Sequence, residues 1–121
     1  MRIGDRAEVD RTYLTSDAAE LAELAGLAAG SMEHVPEPLV AALFSYLLGV
    51  RLPGPGTNYL KQEIAFLAEA RWGEALTASV EVTRLRPDKG LVDLATLCAQ
   101  GGTIICRGRA LVLFKAPAGR R

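Results

Sequence analysis

The stretch that decides the fold is Pro38–Val50, which reads PLVAALFSYLLGV. Proline suits the first helical position, where its missing N–H costs nothing, and the residues that follow it are apolar on nearly every side. A helix of this kind is either buried in a core or embedded in a membrane, and this one is too short to cross a bilayer. The sequence therefore predicts a central helix that the rest of the chain encloses.

The part of the chain that follows this helix is rich in strands. The predicted strands are Asn58–Glu69, Ala75–Arg86, Leu91–Ala99 and Ile104–Lys115. Within Ala75–Arg86, apolar and polar residues alternate with a period of two, which is typical of a half-buried strand. The Arg86–Gly90 segment has the residues of a type I turn, and Gly101-Gly102 indicates a hairpin. These features predict that the last three strands form an antiparallel meander.

The part of the chain that precedes the central helix adds one strand and one helix. Arg6–Leu14 alternates roughly and suits a short strand. Thr15-Ser16-Asp17 has the hydroxyl and the acid of a helix start, and Ala18–Ala29 consists almost entirely of strong helix formers. The predicted architecture is α+β, with a curved antiparallel sheet around one central helix. Residues 1–121 are expected to form a single domain.

Composition and cysteine usage limit the possible functions. The chain has 14 basic and 14 acidic residues, so its net charge attracts neither nucleic acid nor an anionic membrane. No apolar leader follows Met1, and a cytoplasmic protein is expected. Cys98 and Cys106 flank the predicted hairpin turn, so a cross-strand disulfide is conceivable, although cytosolic thiols stay reduced. The two cysteines lack partners at metal-ligand spacing, and no metal site is predicted.

Three segments resemble a known family. The runs Ala42–Gly49 and Leu52–Gln62, and the segment GEALTASVEVTRLRPDK at Gly73–Lys89, are similar to MaoC-like dehydratases of the (R)-specific enoyl-CoA hydratase type. The resemblance covers about Ile3–Phe114 and is strongest from Leu39 onward. It implies a hotdog fold, in which a curved antiparallel sheet wraps around a long central helix. It also implies dimers in which two sheets pair edge to edge.

The resemblance further implies a substrate class and a reaction. Similar enzymes act on acyl thioesters of coenzyme A or acyl carrier protein, and they interconvert trans-2-enoyl and (R)-3-hydroxyacyl thioesters by adding or removing water. The resemblance implies no cofactor other than this thioester carrier. In such enzymes an aspartate and a histidine before the central helix hold and deprotonate the water. Backbone N–H groups at the start of that helix polarise the thioester carbonyl.

The sequence departs from the family pattern where this catalytic pair belongs. If His34 is aligned with the family histidine, the aspartate position falls on Ala29, and the segment that connects the pair to the helix is missing. His34 is the only histidine, and histidine ordinarily changes charge near neutral pH. Glu33 and Glu37 could then replace the aspartate as orienter or base. Alternatively, His34 is solvated and the two glutamates only favour the positive end of the helix.

The residues expected to bind the substrate are Ser45, Leu39, Tyr59 and Lys61. Ser45 could line the acyl pocket, or its hydroxyl could bond to a carbonyl one turn back. Lys61 could meet a phosphate of coenzyme A, or it could be solvated.

Two further functions compete with the hydratase interpretation. A chain without the aspartate could be a non-catalytic hotdog subunit or thioester-binding module that shapes the acyl tunnel for a partner with an intact pair. It could also be a hotdog thioesterase in which Glu33 or Glu37 supplies the acid. The hydratase would work as a homodimer or as a heterodimer with another hotdog subunit.

Overall fold

Five antiparallel strands form one sheet in the computed structural model, which describes residues 1–24 and 33–115. The strands are β1 (Arg6–Thr12), β2 (Thr57–Phe66), β3 (Ala75–Arg86), β4 (Leu91–Gln100) and β5 (Thr103–Phe114). Their order in the sheet is β1-β3-β4-β5-β2, and every neighbouring pair is antiparallel. The predicted meander of the last three strands is confirmed, and β1 and β2 are the two edges.

The described residues form two α-helices. The first, α1 (Thr15–Leu24), begins where Asp17 accepts a hydrogen bond from the Leu14 N–H at 2.6 Å. The predicted helix start at Thr15-Ser16-Asp17 is confirmed, and the end of the predicted run Ala18–Ala29 lies outside the described residues, as does Ala29. The second, α2 (Glu37–Tyr46), continues into a π-helical turn at Leu47–Arg51.

The core lies between the concave face of the sheet and one side of α2. The predicted alternation in β3 is confirmed, because Leu76, Ala78, Val80 and Val82 are all fully buried. They pack in one cluster with buried residues of α2 and its π-helical turn, among them Phe44. Burying a large side chain of this kind contributes about 1.5–3 kcal/mol, so this contact fixes α2 on the sheet.

The opposite side of α2 is open to solvent. Ala42, Ser45 and Tyr46 are exposed, and so are Gly49 and Val50 in the π-helical turn. The prediction that the helix is enclosed on all sides is wrong for the chain by itself, because a sheet of five strands curves around only one side. No helix in the described part of the chain is long and apolar enough to span a membrane.

Glycines shape two places in the sheet, one through the backbone angles of a turn and one through the space beside a strand. Gly101 and Gly102 connect β4 to β5 with positive φ angles of 55° and 83°, which a two-residue hairpin turn of type I′ requires. Gly108 in β5 lies opposite Ile64, and a Cβ there would collide with the backbone carbonyl of Glu63. Glycine at this position therefore lets β2 approach β5 closely.

Candidate active site at the start of α2

The side chains of His34 and Glu69 are in direct contact next to the first turn of α2. The distance between His34 Nε2 and Glu69 Oε2 is 2.7 Å, and the two side chains are 43% and 72% exposed. A neutral imidazole that donates from Nε2 keeps Nδ1 free as a base. The carboxylate then fixes the ring and stabilises the imidazolium that forms when Nδ1 takes up a proton. The pair thus has the chemistry of an oriented general base.

Backbone hydrogen bonds bring the two partners together. Val35 and Ala70 form an isolated antiparallel bridge, in which the Val35 N–H donates to the Ala70 carbonyl at 2.9 Å. His34 and Glu69 directly precede these two residues. The segment after β2 is also attached to β5, since the N–H groups of Leu67 and Ala68 donate to the Ile105 carbonyl at 2.8 and 3.2 Å. Glu69 therefore lies in a segment whose backbone is held on both sides.

Gln100, a buried polar residue at the end of β4, anchors the same segment. Its side-chain oxygen accepts a hydrogen bond from the Arg71 N–H at 2.8 Å. Its amide donates to the carbonyls of Arg71 and Glu74 at 3.0 and 3.1 Å. The Gln100 residue is only 1% exposed, so these bonds satisfy polar groups that would be costly to leave unpaired. They hold the loop that follows Glu69 against the sheet.

His34 and Glu69 both line a cavity of about 190 Å³ between α2, β2 and β5. Its lining combines one histidine and two glutamates with apolar side chains and backbone; it consists of His34, Val35, Pro36, Glu37, Val40, Phe66, Ala68, Glu69, Ala70 and Ile105. The cavity therefore presents titratable groups at its rim and an apolar wall behind them. This is the combination expected of a small-molecule site.

The N-terminus of α2 has few free backbone donors. Pro36 caps the helix without a side-chain hydrogen bond, and Pro38 has no N–H. The Leu39 N–H donates back to the Pro36 carbonyl at 3.0 Å. Within the described part of the chain, the Glu37 N–H donates no hydrogen bond. This single donor is the backbone group that could polarise a substrate carbonyl at the helix start.

Tyr13 connects the end of β1 to the first turn of α2. Its hydroxyl donates to the Leu39 carbonyl at 3.0 Å, and the residue is 8% exposed. Burial raises the pKa of the Tyr13 hydroxyl above its ordinary value of 10.0, an effect that the nearby Arg11 guanidinium partly opposes. The neutral hydroxyl thus fixes the position of the helix start relative to the sheet.

Comparison with known proteins decides the family. Over 126 aligned residues the chain is 34% identical to the (R)-specific enoyl-CoA hydratase of Aeromonas caviae, and the alignment covers 93% of this chain and 94% of the relative. The chain belongs to the (R)-specific enoyl-CoA hydratase family. The solved structure of the A. caviae (R)-hydratase involved in PHA biosynthesis matches with a TM-score of 0.83 at 32% identity, covering 95% of this chain and 98% of that chain. The predicted MaoC-like resemblance and hotdog fold are confirmed.

A second family member matches over a shorter region. The (R)-specific enoyl-CoA hydratase of Rhodospirillum rubrum is 42% identical over 78 residues, which are 64% of this chain. The matched region spans only 54% of that relative's length. No protein-family model matches the chain.

The structure of this hydratase-family chain brings together only part of the predicted catalytic set. His34 and Glu37 line the same cavity, whereas Glu33 is exposed and does not contribute to the lining. The carboxylate that contacts His34 belongs to Glu69, not to Glu33 or Glu37. No group of three His, Cys, Asp or Glu side chains within residues 1–24 and 33–115 is arranged to hold a metal ion.

The predicted substrate-binding residues lie outside this cavity. Leu39 packs against the core at the edge of the helix, and Ser45 lies on the exposed side of α2. Tyr59 is 45% exposed on the edge strand. Lys61 pairs with Glu63 at 3.1 Å. Their roles in substrate binding stay predictions.

Glu69 was missed by the sequence analysis for a physical reason. It is one of 14 acidic residues, and its position as the last residue of the predicted strand Asn58–Glu69 does not distinguish it from a solvated surface acid. Its role follows from the bridge between Val35 and Ala70, a contact between segments far apart in the sequence. The only local signal was the position of an acid at the end of the strand that follows the central helix.

Proposed function

We propose that this chain catalyses the reversible hydration of trans-2-enoyl thioesters to (R)-3-hydroxyacyl thioesters, with coenzyme A or acyl carrier protein as the carrier. Membership of the hydratase family supports the reaction. The observation that carries the proposal is the His34–Glu69 pair, at 2.7 Å, in a cavity at the N-terminus of α2. This pair takes the place of the aspartate and histidine that the family pattern leads one to expect.

In the proposed reaction His34 acts as both base and acid. Its Nδ1 takes a proton from water as the water oxygen bonds to C3 of the enoyl chain. The electrons of the double bond move towards the thioester carbonyl, whose oxygen accepts the Glu37 N–H. The imidazolium then returns a proton to C2, so that the histidine is regenerated. The Glu69 carboxylate stabilises the imidazolium between these two steps, and the Glu37 carboxylate accepts a hydrogen bond from the water.

We also infer that a second hotdog subunit, identical or related, pairs along β2. Among the described residues this strand has β5 as its single neighbour, so the other side of its backbone is unpaired there. Tyr59 and Leu60 on this edge are 45% and 54% exposed. An edge with exposed apolar side chains is suited to strand pairing, and the paired sheets would also cover the open side of α2.

A non-catalytic subunit is the second candidate. It is favoured by Ala29 at the position of the family aspartate and by the high exposure of Glu69. In that case the chain would shape the acyl tunnel for a partner with an intact catalytic pair.

Hydration of crotonyl-CoA by the purified protein tests the proposal, because loss of the enoyl absorbance can be followed directly. We expect activity in the unchanged protein, a loss of about 100-fold or more in kcat for His34→Ala, and a loss of about 10-fold for Glu69→Gln with little change in KM. Glu63→Gln is the matched control, since Glu63 pairs with Lys61 and Arg109 away from the cavity. An exposed ion pair contributes about 0–1 kcal/mol, so all three variants should fold.

Three other outcomes of this assay would contradict the proposed mechanism or indicate a different function. Full activity in His34→Ala would contradict the proposed mechanism. No activity from the chain alone, but hydration with an added second hotdog subunit that His34→Ala in this chain leaves unchanged, would establish the non-catalytic subunit. Release of free coenzyme A thiol without hydration would indicate a thioesterase.

A further inference from the structure

Two buried thiols face each other across β4 and β5. Cys98 and Cys106 are register partners in the sheet, both are 0% exposed, and both are free thiols. Directly opposed residues of antiparallel strands have Cα atoms about 4.5–5.5 Å apart. A disulfide spans about 4.4–6.8 Å between Cα atoms. The backbone therefore already holds the two cysteines at bonding range.

The two thiols are also chemically unequal. The Cys106 thiol donates a hydrogen bond to the Cys98 sulfur, and this bond lowers the pKa of Cys98. The same bond, together with burial, raises the pKa of Cys106. The thiolate is the reactive form of cysteine, so Cys98 is the nucleophile of the pair and Cys106 is the thiol that follows.

The cavity at the start of α2 ends next to this pair, although neither cysteine lines it. Its lining includes Ile105, which directly precedes Cys106, and Phe66, the partner of Cys106 on β2. The Glu37 carboxylate is close enough to contribute to the raised pKa of Cys106. A small oxidant that enters the cavity therefore reaches the residues that immediately surround the thiols, whereas a bulky disulfide reagent does not.

We propose that Cys98 and Cys106 are a modification site, at which a small hydroperoxide forms a reversible intramolecular disulfide. The Cys98 thiolate attacks one peroxide oxygen, the O–O bond breaks, and a sulfenic acid forms while hydroxide or alkoxide leaves and takes up a proton. The Cys106 sulfur then attacks the Cys98 sulfur, and the hydroxyl leaves as water with the Cys106 proton. In total, two thiols lose two electrons and two protons, and one peroxide is reduced.

The disulfide joins β4 to β5 within the core that packs against α2. Closing a covalent loop across the β4–β5 hairpin restricts the unfolded chain, so the oxidised protein resists unfolding more than the reduced one. The bond also restrains β5 next to Ile105, which lines the cavity, and we expect this restraint to lower turnover at the site. This second effect rests on the proposed hydratase function, whereas the formation of the bond does not.

Titration of the folded protein with hydrogen peroxide, followed by quenching and denaturation, tests the bond itself. We expect the thiol count to fall from two to zero, the intact mass to fall by two hydrogen atoms, and dithiothreitol to reverse both changes. Cys106→Ala is the matched control, because its remaining Cys98 can form a sulfenic acid but no intramolecular bond. Retention of both thiols in the folded protein would overturn the proposal, and so would covalent dimers in place of the internal bond.

Melting temperature and crotonyl-CoA hydration measure the consequence. The oxidised protein should melt about 5 °C or more above the reduced protein, and Cys106→Ala should show no such rise after peroxide. Hydration should fall on oxidation and recover with dithiothreitol. If the disulfide forms but neither the melting temperature nor the hydration rate changes, the proposed effects of the disulfide on stability and turnover are refuted. A protein without hydratase activity still reports on the bond through its thiol count, mass and melting temperature.

Discussion

At the scale of single residues, the hydroxyl of Tyr13 is the clearest case of one group that joins two elements. It lies among core residues, yet it donates to the carbonyl of Leu39 in the first turn of α2. A buried phenol keeps its proton, because burial raises its pKa. The hydrogen bond therefore persists until the pH is high enough to ionise the Tyr13 hydroxyl in the folded protein.

We expect Tyr13→Phe to lower the free energy of unfolding by about 1 kcal/mol at neutral pH, since one hydrogen bond is lost and an acceptor is left without its partner. The variant should also change the alkaline limb of the stability profile. The folded pKa of Tyr13 lies above the unfolded value, so its contribution is fully present below the unfolded pKa and is lost as the pH rises through the folded pKa. Urea unfolding at neutral and strongly alkaline pH measures both effects.

Tyr59→Phe is the control for this measurement, because Tyr59 is 45% exposed. It should leave the free energy of unfolding at neutral pH unchanged. An equally steep alkaline loss in Tyr13→Phe and in the unchanged protein would contradict the role given to the Tyr13 hydroxyl.

At the scale of elements, the contact between β2 and β5 depends on the missing side chain of Gly108. We expect Gly108→Ala to lower the free energy of unfolding by about 1–3 kcal/mol, because the new methyl group would collide with the Glu63 carbonyl and push β2 away. Since Glu69 follows β2, hydration should fall as well. Thermal unfolding and the crotonyl-CoA assay measure the two effects.

Gly49→Ala is a matched control, because a Cβ at Gly49 meets nothing within 4 Å. Alanine is favoured over glycine in a helical turn by about 0.5–1 kcal/mol, so this variant should be slightly more stable. If the two variants had equal stability, close approach of β2 to β5 would not be the reason for glycine at position 108.

The elements also show how far the sequence could predict this fold and site. Alternation in β3 and the Gly101-Gly102 turn were readable, because both depend on neighbouring residues. The resemblance supplied the hotdog arrangement and directed attention to His34. The partner of His34 could not be predicted, since it depends on a bridge between Val35 and Ala70. The solvent-exposed side of α2 was not predicted, because an apolar helix indicates only that its surface is buried. Its sequence does not show whether the same chain or a second subunit buries that surface.

At the scale of the whole molecule, the proposed dimer depends on the unpaired edge of β2. We expect Leu60→Lys to weaken the proposed dimer by about 10-fold or more, because a charge on a pairing edge disfavours strand addition. Sedimentation equilibrium at several protein concentrations gives the dissociation constant of the dimer.

Ile3→Lys serves as the control, since Ile3 is 66% exposed and precedes β1 at the opposite edge. It should leave the dissociation constant unchanged. A dimer that withstands Leu60→Lys but dissociates in Ile3→Lys would place the interface at β1 instead.

The position of Glu69 just beyond β2 connects assembly to substrate affinity. The strand that is proposed to pair with a second subunit continues directly into the segment that contains Glu69, the partner of His34. Where subunit pairing and thioester binding favour the same arrangement of this segment, each must strengthen the other by an equal factor. Dilution would then reduce the affinity for the thioester, and saturation with the thioester would raise the association constant of the subunits to the same extent.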